Sequence, residues 1–369
     1  MPPDDIATLW QTLRFALAAV LLGVAAAGAM VFFLAVQYGG AALVWPESAP
    51  VPYYTLLLTT ASGLAVGLCL HFFDDHVGLL QETLATFKET GRFEPQYLPA
   101  GLLTIYLSLV GGASLGPEVA AVDMGGGMGT RLGDRVAWLK ERVRALSTVG
   151  VLGALVGFAV YLLLTGPPGA LYPVPPYTFV AVDLVYAAVL GLVGAVAGVG
   201  FIYSYHLFSR LIVPLADRPI FRGLLGGLGL GVLGTLAPLV LFSGQNEFQT
   251  VLTEGAAMGA VMLLALVAAK ILASTWCMAT VFKGGPVFPL FFAGGTLGMA
   301  ATLLAPAIPV ALAVPAAMSG MTVAVLKMPS VVFVLLAMVF LQWDVVPAVV
   351  IATVVGYVAT RRVVLIEKG

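Results

Sequence analysis

Hydrophobic positions in this chain fall in long unbroken runs, at about 12–37, 52–72, 145–165, 179–205, 222–242, 256–282, 306–326 and 330–360. A helix needs roughly 20 apolar residues to cross the hydrocarbon core of a bilayer, and these runs reach that length. No stretch shows the alternating ten-residue segments of a membrane β-barrel. The pattern predicts an all-α polytopic protein of the cell membrane, crossing it many times. The first run is too long for a signal-peptide core and follows "MPPDD" rather than a basic segment, so it predicts a retained first helix.

Composition agrees. Of 369 residues, 60% are hydrophobic and 9% charged, against about 25% charged in soluble domains. A net charge of −1 suggests no nucleic-acid partner. Cys69 and Cys277 both sit inside apolar runs and predict buried small hydrophobes, with no disulfide framework and no metal motif. "HFFDDH" at 71–76 reads as a solvated helix end, since no partner cluster of His or Cys exists elsewhere. No cofactor is implied. The absence of HExxH, of a redox motif and of a nucleophile–base pair argues against an enzyme. Charge gathers at 82–94, 131–144, 217–222 and the C-terminal "RRVVLIEKG". The basic excess at 131–144 and at Arg361 and Arg362 predicts that both lie on the cytoplasmic side.

A Pro/Gly-rich connector at 165–177, "TGPPGALYPVPPY", divides the chain near its middle. On either side the same wording recurs at an offset of 169. Gly116-Pro117, Gly125-Gly126 and Gly129 answer to Gly285-Pro286, Gly294-Gly295 and Gly298. The chain is therefore expected to be one transmembrane domain, 1–369, with repeat halves at about 12–165 and 178–360. Repeats carrying glycine-interrupted segments are the sequence sign of a transporter or channel whose site lies at the repeat interface.

Proline is favoured at the start of a helix, where its missing N–H would have had no partner. Pro117 and Pro286 thus predict two helix starts, each preceded by extended backbone. A helix N-terminus offers free N–H groups and a partial positive charge, which makes an anion site without a basic side chain. The expected donors are the amides of Val119 and Ala120 in one half and of Val287 and Phe288 in the other. Gly116 and Gly285 would position them, because only glycine adopts positive φ freely and lets an ion approach the backbone closely. Glu118 sits in this otherwise apolar, glycine-lined stretch. A carboxylate at mid-membrane costs about 2.5–3.5 kcal/mol or more, and a helix N-terminus offsets part of that. Glu118 is read as a gate: it occupies the anion's place when ionised and leaves it when protonated. The bland alternative is a first-turn capping glutamate. Asp123 reads evenly as pathway lining or helix packing. Lys270, Lys283 and Lys327 attract anions or snorkel, with attraction favoured for Lys283 and snorkelling for Lys327.

These residues resemble the CLC family of chloride channels and proton-coupled anion transporters. "GGASLGPEVAAV" at 111–122 is similar to the family's GREGP gate segment, matching at Gly116 and Glu118 and departing at Pro117, Val119 and Ala120. "GGPVFPLFFAGGTLG" at 284–298 resembles its G-G-x-F-x-P signature, with Val287 in place of phenylalanine and Pro286 removing one amide. "SGQNEFQTVLTEGAAM" at 243–258, Lys270 and "SGMTVAVLKMP" at 319–329 extend the likeness over about 50–360. The resemblance implies two inverted-topology repeats with broken helices meeting at mid-membrane, a homodimer with one pathway per subunit, and chloride or another small anion, with protons as candidate co-substrates.

It also marks departures. Val77 stands where the family places a pathway serine. The family's tyrosine beyond the last spanning helix, its inner proton-relay glutamate and the C-terminal regulatory domain of its eukaryotic members are expected to have no counterpart. Asp183 is the one acid between Glu141 and Asp217 and an uncertain substitute for the relay. The GPE form of the gate is similar to a small bacterial branch labelled ion-transport proteins, and 283–298 to a fluoride-handling branch. A fluoride exporter of the same family and a secondary transporter of a small organic anion therefore stay open beside chloride.

Overall fold

The computed structural model describes residues 3–46, 51–165, 170–178 and 180–365. Residues 166–169 of the connector and the last four residues of the chain lie outside the described residues. Fourteen α-helices follow one another: α1 (Pro3–Val44), α2 (Tyr54–Phe73), α3 (Leu80–Thr90), α4 (Leu98–Val110), α5 (Glu118–Arg135), α6 (Val143–Thr165), α7 (Asp183–Ile212), α8 (Pro219–Leu236), α9 (Glu247–Met258), α10 (Ala260–Ala279), α11 (Val287–Leu304), α12 (Val310–Leu326), α13 (Pro329–Phe340) and α14 (Val346–Thr360). Eight helices among the described residues are long and apolar enough to span a bilayer, with three shorter apolar ones beside them.

The longest apolar runs map onto helices, with two corrections. The run at 330–360 is two helices, because Leu341 adopts a left-handed conformation (φ 50°) and a short 3-10 turn, Trp343–Val345, redirects the chain. Hydropathy cannot register such a break, since the residues around it stay apolar. The run at 222–242 ends as a helix at Leu236, where Pro238 opens a 3-10 turn.

Close contacts fix the direction of each helix. We call the face where α1 begins the first face and the one where it ends the second. α2 returns, and α8 lies against it antiparallel: Gly67 meets Pro219, Gly63 meets Gly223, and Thr59 meets Gly227. So α8 runs from the first face to the second, and α7 before it runs the other way. α6 is parallel to α1 (Gly153 on Gly23, Gly157 on Ala27), and α12 is parallel to α7 (Gly194 on Ala317, Gly198 on Met321 and Ala324). α5 is antiparallel to α6, and α11 antiparallel to α12. Consequently α5 runs from the middle of the molecule to the first face and α11 from the middle to the second. Their N-termini face each other at the centre. Segment 111–117 reaches that centre from the second face, and 280–286 reaches it from the first. The two sets of six helices, α1–α6 and α7–α12, are thus of inverted topology. Every Lys and Arg among the described residues other than Lys270 lies on or toward the first face.

The repeated glycines prove to be packing surfaces. A Cβ on Gly125 would stand 2.2 Å from the Gly150 carbonyl oxygen, and one on Gly129 2.5 Å from Leu146. In the second half, a Cβ on Gly294 would stand 2.7 Å from Met318, and one on Gly298 2.5 Å from the Ala313 oxygen. Between them, Gly126 and Gly295 each receive a phenylalanine ring, Phe93 and Phe248, with 2.3 Å left for a Cβ in both cases. Small residues let membrane helices approach backbone to backbone, and here they do so at equivalent places in both repeats.

Gly63→Ala should therefore destabilise the α2–α8 crossing, since the added carbon falls 2.2 Å from Gly223 O; overpacking of this kind costs about 1–3 kcal/mol. Gly200→Ala, with nothing within 4 Å of the new carbon, serves as control. Thermal unfolding in detergent, followed by size-exclusion chromatography, should show the first variant lowered and the second not. Equal midpoints would refute the close-packing account.

Candidate functional site

At the centre the two incoming segments bond to each other. Gly116 N–H donates to Gly285 O and Gly285 N–H donates to Gly116 O, both at 2.7 Å. No solvent reaches the middle of a bilayer, so each peptide group there must find a partner inside the protein. The reciprocal pair does this for both breaks at once. Each helix then starts one residue later than the sequence suggests: Pro117 and Pro286 are N-caps, and Glu118 and Val287 are the first helical residues.

The free donors follow from helix geometry, which leaves the first few N–H groups unpaired. In α5 these belong to Glu118, Val119 and Ala120, since Ala121 N–H already bonds Pro117 O. In α11 Pro286 and Pro289 carry no N–H and Leu290 bonds Pro286 O, which leaves Val287 and Phe288. The Glu118 side chain crosses from its own helix to the opposing one, and Oε1 accepts the Phe288 N–H at 3.0 Å. Oε2 is enclosed and has no hydrogen-bond partner. The residue is 7% exposed. The carboxylate therefore rests between two helix N-termini, where both dipoles favour negative charge.

Gly116 and Gly285 form its seat. A Cβ on Gly116 would lie 2.4 Å from either carboxylate oxygen, and one on Gly285 2.2 Å from Oε2. The expected reason for these glycines is corrected here. Neither has positive φ; the nearby glycine that does adopt a left-handed conformation is Gly112 (φ 84°). What Gly116 and Gly285 supply is room for the carboxylate, and their own amides are spent on each other.

Val119, Ala120, Val287 and Phe288 are all buried around the seat. The Phe288 ring packs edge-on against Phe158 and Phe291. Val77 is buried in the α2–α3 linker, near Gly101 of α4, and its carbonyl receives Lys283. Asp123 is half-buried further along α5 and does not join the Glu118 contacts.

The three lysines are all engaged. Lys270 does not snorkel: it is fully buried, and Nζ donates to the carbonyls of Val240, Leu241 and Phe242 at 3.1, 3.3 and 2.8 Å. Three carbonyls at the end of a 3-10 turn need donors, and the ammonium supplies them. Phe242 N–H in turn donates to Gly112 O, so Lys270 braces segment 111–117 from behind. Lys327 likewise does not simply snorkel, because Nζ donates to Thr360 O and Oγ1 at the end of α14. Lys283 pairs with Asp75. Asp183 is corrected as a candidate inner relay. It starts α7 on the second face, and its carboxylate is taken by Val180 N–H and the Tyr177 hydroxyl. That places it opposite the face carrying the basic residues.

The sequence did not single out Trp45, Phe242 or Glu247. They surround a cavity of about 270 Å³ on the second face, which is also lined by Gln37, Tyr38, Asn246 and Pro117. Trp45 bonds Val110 O and packs edge-on to Phe242. Lone residues in separate segments leave no spacing pattern, so only the polar "SGQNEF" amid apolar helices hinted at this place. Among the described residues no group of His, Cys, Asp and Glu is arranged to hold a metal.

Residues 142–361 match the family described as "Voltage gated chloride channel". A protein from Salmonella schwarzengrund, provisionally designated ion-transport protein YfeO, is 26% identical over 364 residues, covering 85% of this chain and 87% of the relative. Among solved structures, a CLC-type fluoride/proton antiporter superposes with a TM-score of 0.78 at 18% identity, covering 96% of this chain and 97% of that one. A slow cyanobacterial Cl−/H+ antiporter gives 0.79 at 17% identity, covering 94% and 93%. These likenesses establish the shared fold.

Bulk on the glycine seat has a definite consequence. In Gly285→Val the branched side chain collides with the carboxylate and fills the place beside Phe288 N–H, so anion flux in proteoliposomes should be abolished while the protein still elutes as a single assembled species. Wild-type flux in both Gly285→Val and Gly116→Val would remove this seat from the pathway.

Proposed function

The chain belongs to the voltage gated chloride channel family, and on that footing we propose that it moves a small inorganic anion, chloride before others, past Glu118 at the centre of the membrane. The observation that carries the reading is the Glu118 carboxylate seated on the Phe288 N–H between two opposed helix ends. A site that accepts a tethered carboxylate accepts a free anion by the same hydrogen bonds and dipoles. Protonation removes the charge that holds the side chain there, and the seat passes to the permeant ion. Gly116, Val119, Ala120, Gly285 and Val287 shape the same place, with Val77, Asp123 and Lys283 along the route.

The distribution of Lys and Arg supports a cytoplasmic first face by the positive-inside rule. The cavity beside Glu247 then opens outward. Two copies are expected to pair, each with its own route. Fluoride is the second reading, supported by the wording of 283–298, which resembles a fluoride-handling branch of the family. Coupling to protons is expected to be weak. Asp183, the one acid between Glu141 and Asp217, stands on the other face, and the Asp75 carboxylate on the cytoplasmic approach is paired with Lys283.

The test is flux of chloride, fluoride and an organic carboxylate from proteoliposomes, with and without a pH gradient, for wild type and Glu118→Gln. On the alkaline side of its midpoint a single protonatable gate loses about tenfold of its open fraction per pH unit. Glutamine imitates the protonated form, so flux in Glu118→Gln should persist and lose that slope, and an anion gradient should drive no uphill proton movement. A well-folded Glu118→Gln protein with unchanged pH dependence would return the residue to the role of a helix cap.

A further inference from the structure

The second incoming segment carries two anion-binding groups, and each is filled by a carboxylate from the first half of the chain. Phe288 N–H holds Glu118. Five residues earlier, Lys283 Nζ holds Asp75, at 2.7 Å from Oδ1 and 2.8 Å from Oδ2, and donates to Val77 O at 2.8 Å. The Lys283 side chain keeps 16% exposure and that of Asp75 41%. The ammonium is thus largely enclosed while its partner faces water. Because 280–286 enters from the first face, this ammonium stands beside the approach to Glu118 from that face. Its backbone N–H donates to Ser108 Oγ at 3.0 Å, which fixes the residue against α4.

The equivalent position in the first half, at the offset of 169, is Ser114, whose hydroxyl is paired with Ser274 at 2.9 Å. The approach from the second face has no cation at that place, and its cavity is lined by Glu247. Toward the first face the route thus meets the Lys283–Asp75 pair, and toward the second face Glu247, with the Lys270 ammonium held behind Phe242 of the same cavity.

We propose that Lys283 is a loading site for a small inorganic anion arriving from the first face, and that Asp75 is a tethered occupant which the anion displaces. The proposal rests on the reading of Glu118 as the gate of an anion route and extends the same competition to the cytoplasmic end. Water reaches the Asp75 side of the pair and competes for its carboxylate, so exchange of one anionic partner for another is accessible without unfolding the α2–α3 linker. Displacing Asp75 leaves the Lys283 ammonium open to an anion from the first face, whereas Lys270 on the second-face side is taken up by three carbonyls, so the first face should be the tighter end.

Two substitutions break this pair, and the roles separate by sign. Asp75→Asn removes the competitor and leaves the ammonium; Lys283→Gln removes the ammonium and leaves the competitor. A purely structural latch predicts the same direction of change for both. Chloride and fluoride efflux from proteoliposomes is measured at graded luminal concentrations for wild type and each variant. The half-saturating concentration should fall about threefold or more in Asp75→Asn, because apparent affinity scales with the fraction of open sites, and rise in Lys283→Gln. Mixed insertion dilutes these shifts without reversing them. Shifts in one direction for both, or in neither, overturn the proposal.

Should Lys283→Gln fail to assemble, Asp75→Asn decides alone: a half-saturating concentration that falls supports the loading site, and one that stays at the wild-type value or rises overturns it. Opposite shifts together with unaltered pH dependence in Glu118→Gln would sink the gate reading alone. Wild-type protein that passes neither chloride nor fluoride would sink both.

Discussion

Two hydrogen bonds of 2.7 Å, exchanged between Gly116 and Gly285, hold the centre of this molecule together. Each half of the chain breaks its helix inside the membrane, and a broken helix in hydrocarbon leaves peptide groups that only protein can satisfy. By pairing the two breaks with each other, the chain closes both and also sets the distance between the N-termini of α5 and α11. Everything at the site follows from that spacing. The side chain of the first residue of α5 reaches the second residue of α11, and its carboxylate fits over two glycines that have no Cβ to exclude it.

The surrounding architecture is what keeps this central bridge from pulling apart. From the second face, Lys270 gathers the carbonyls of 240–242, Phe242 bonds Gly112, and Trp45 packs against both. From the first face, Ser108 receives the Lys283 amide and Lys283 reaches the α2–α3 linker. Further out, the repeated glycines of α5 and α11 admit α6 and α12 to backbone contact and take in Phe93 and Phe248. Two sets of charges thus divide the work. Lys270 is consumed by structure, whereas Lys283 meets a carboxylate that water also reaches.

Much of this was legible in the chain. The membrane class followed from run length, and the two broken helices from a glycine–proline pattern repeated at a fixed offset. Glu118 stood out because a carboxylate amid small apolar residues has to be explained. The physical reason for Gly116 and Gly285 was not legible, since a sequence cannot separate a need for positive φ from a need for space. Lys270 was misjudged for a similar reason: its three acceptors are main-chain carbonyls, and backbone geometry leaves no letter behind. The break at Leu341 was hidden in an apolar run, and the place of Asp183 on the second face required the direction of α7. Position along a chain says nothing of which face a residue reaches until the helices are counted and oriented.

The central claim is that Glu118 and the permeant anion compete for one seat at Phe288 N–H. Crystallographic anomalous scattering from bromide, collected on wild type and on Glu118→Ala, addresses it most directly. The account predicts a bromide peak within hydrogen-bonding reach of the Phe288 amide in the variant, and none there in wild type while the carboxylate is seated. Bromide bound at that amide beside an undisplaced Glu118, or a variant whose seat between 116–120 and 285–288 takes up no bromide at all, would contradict it.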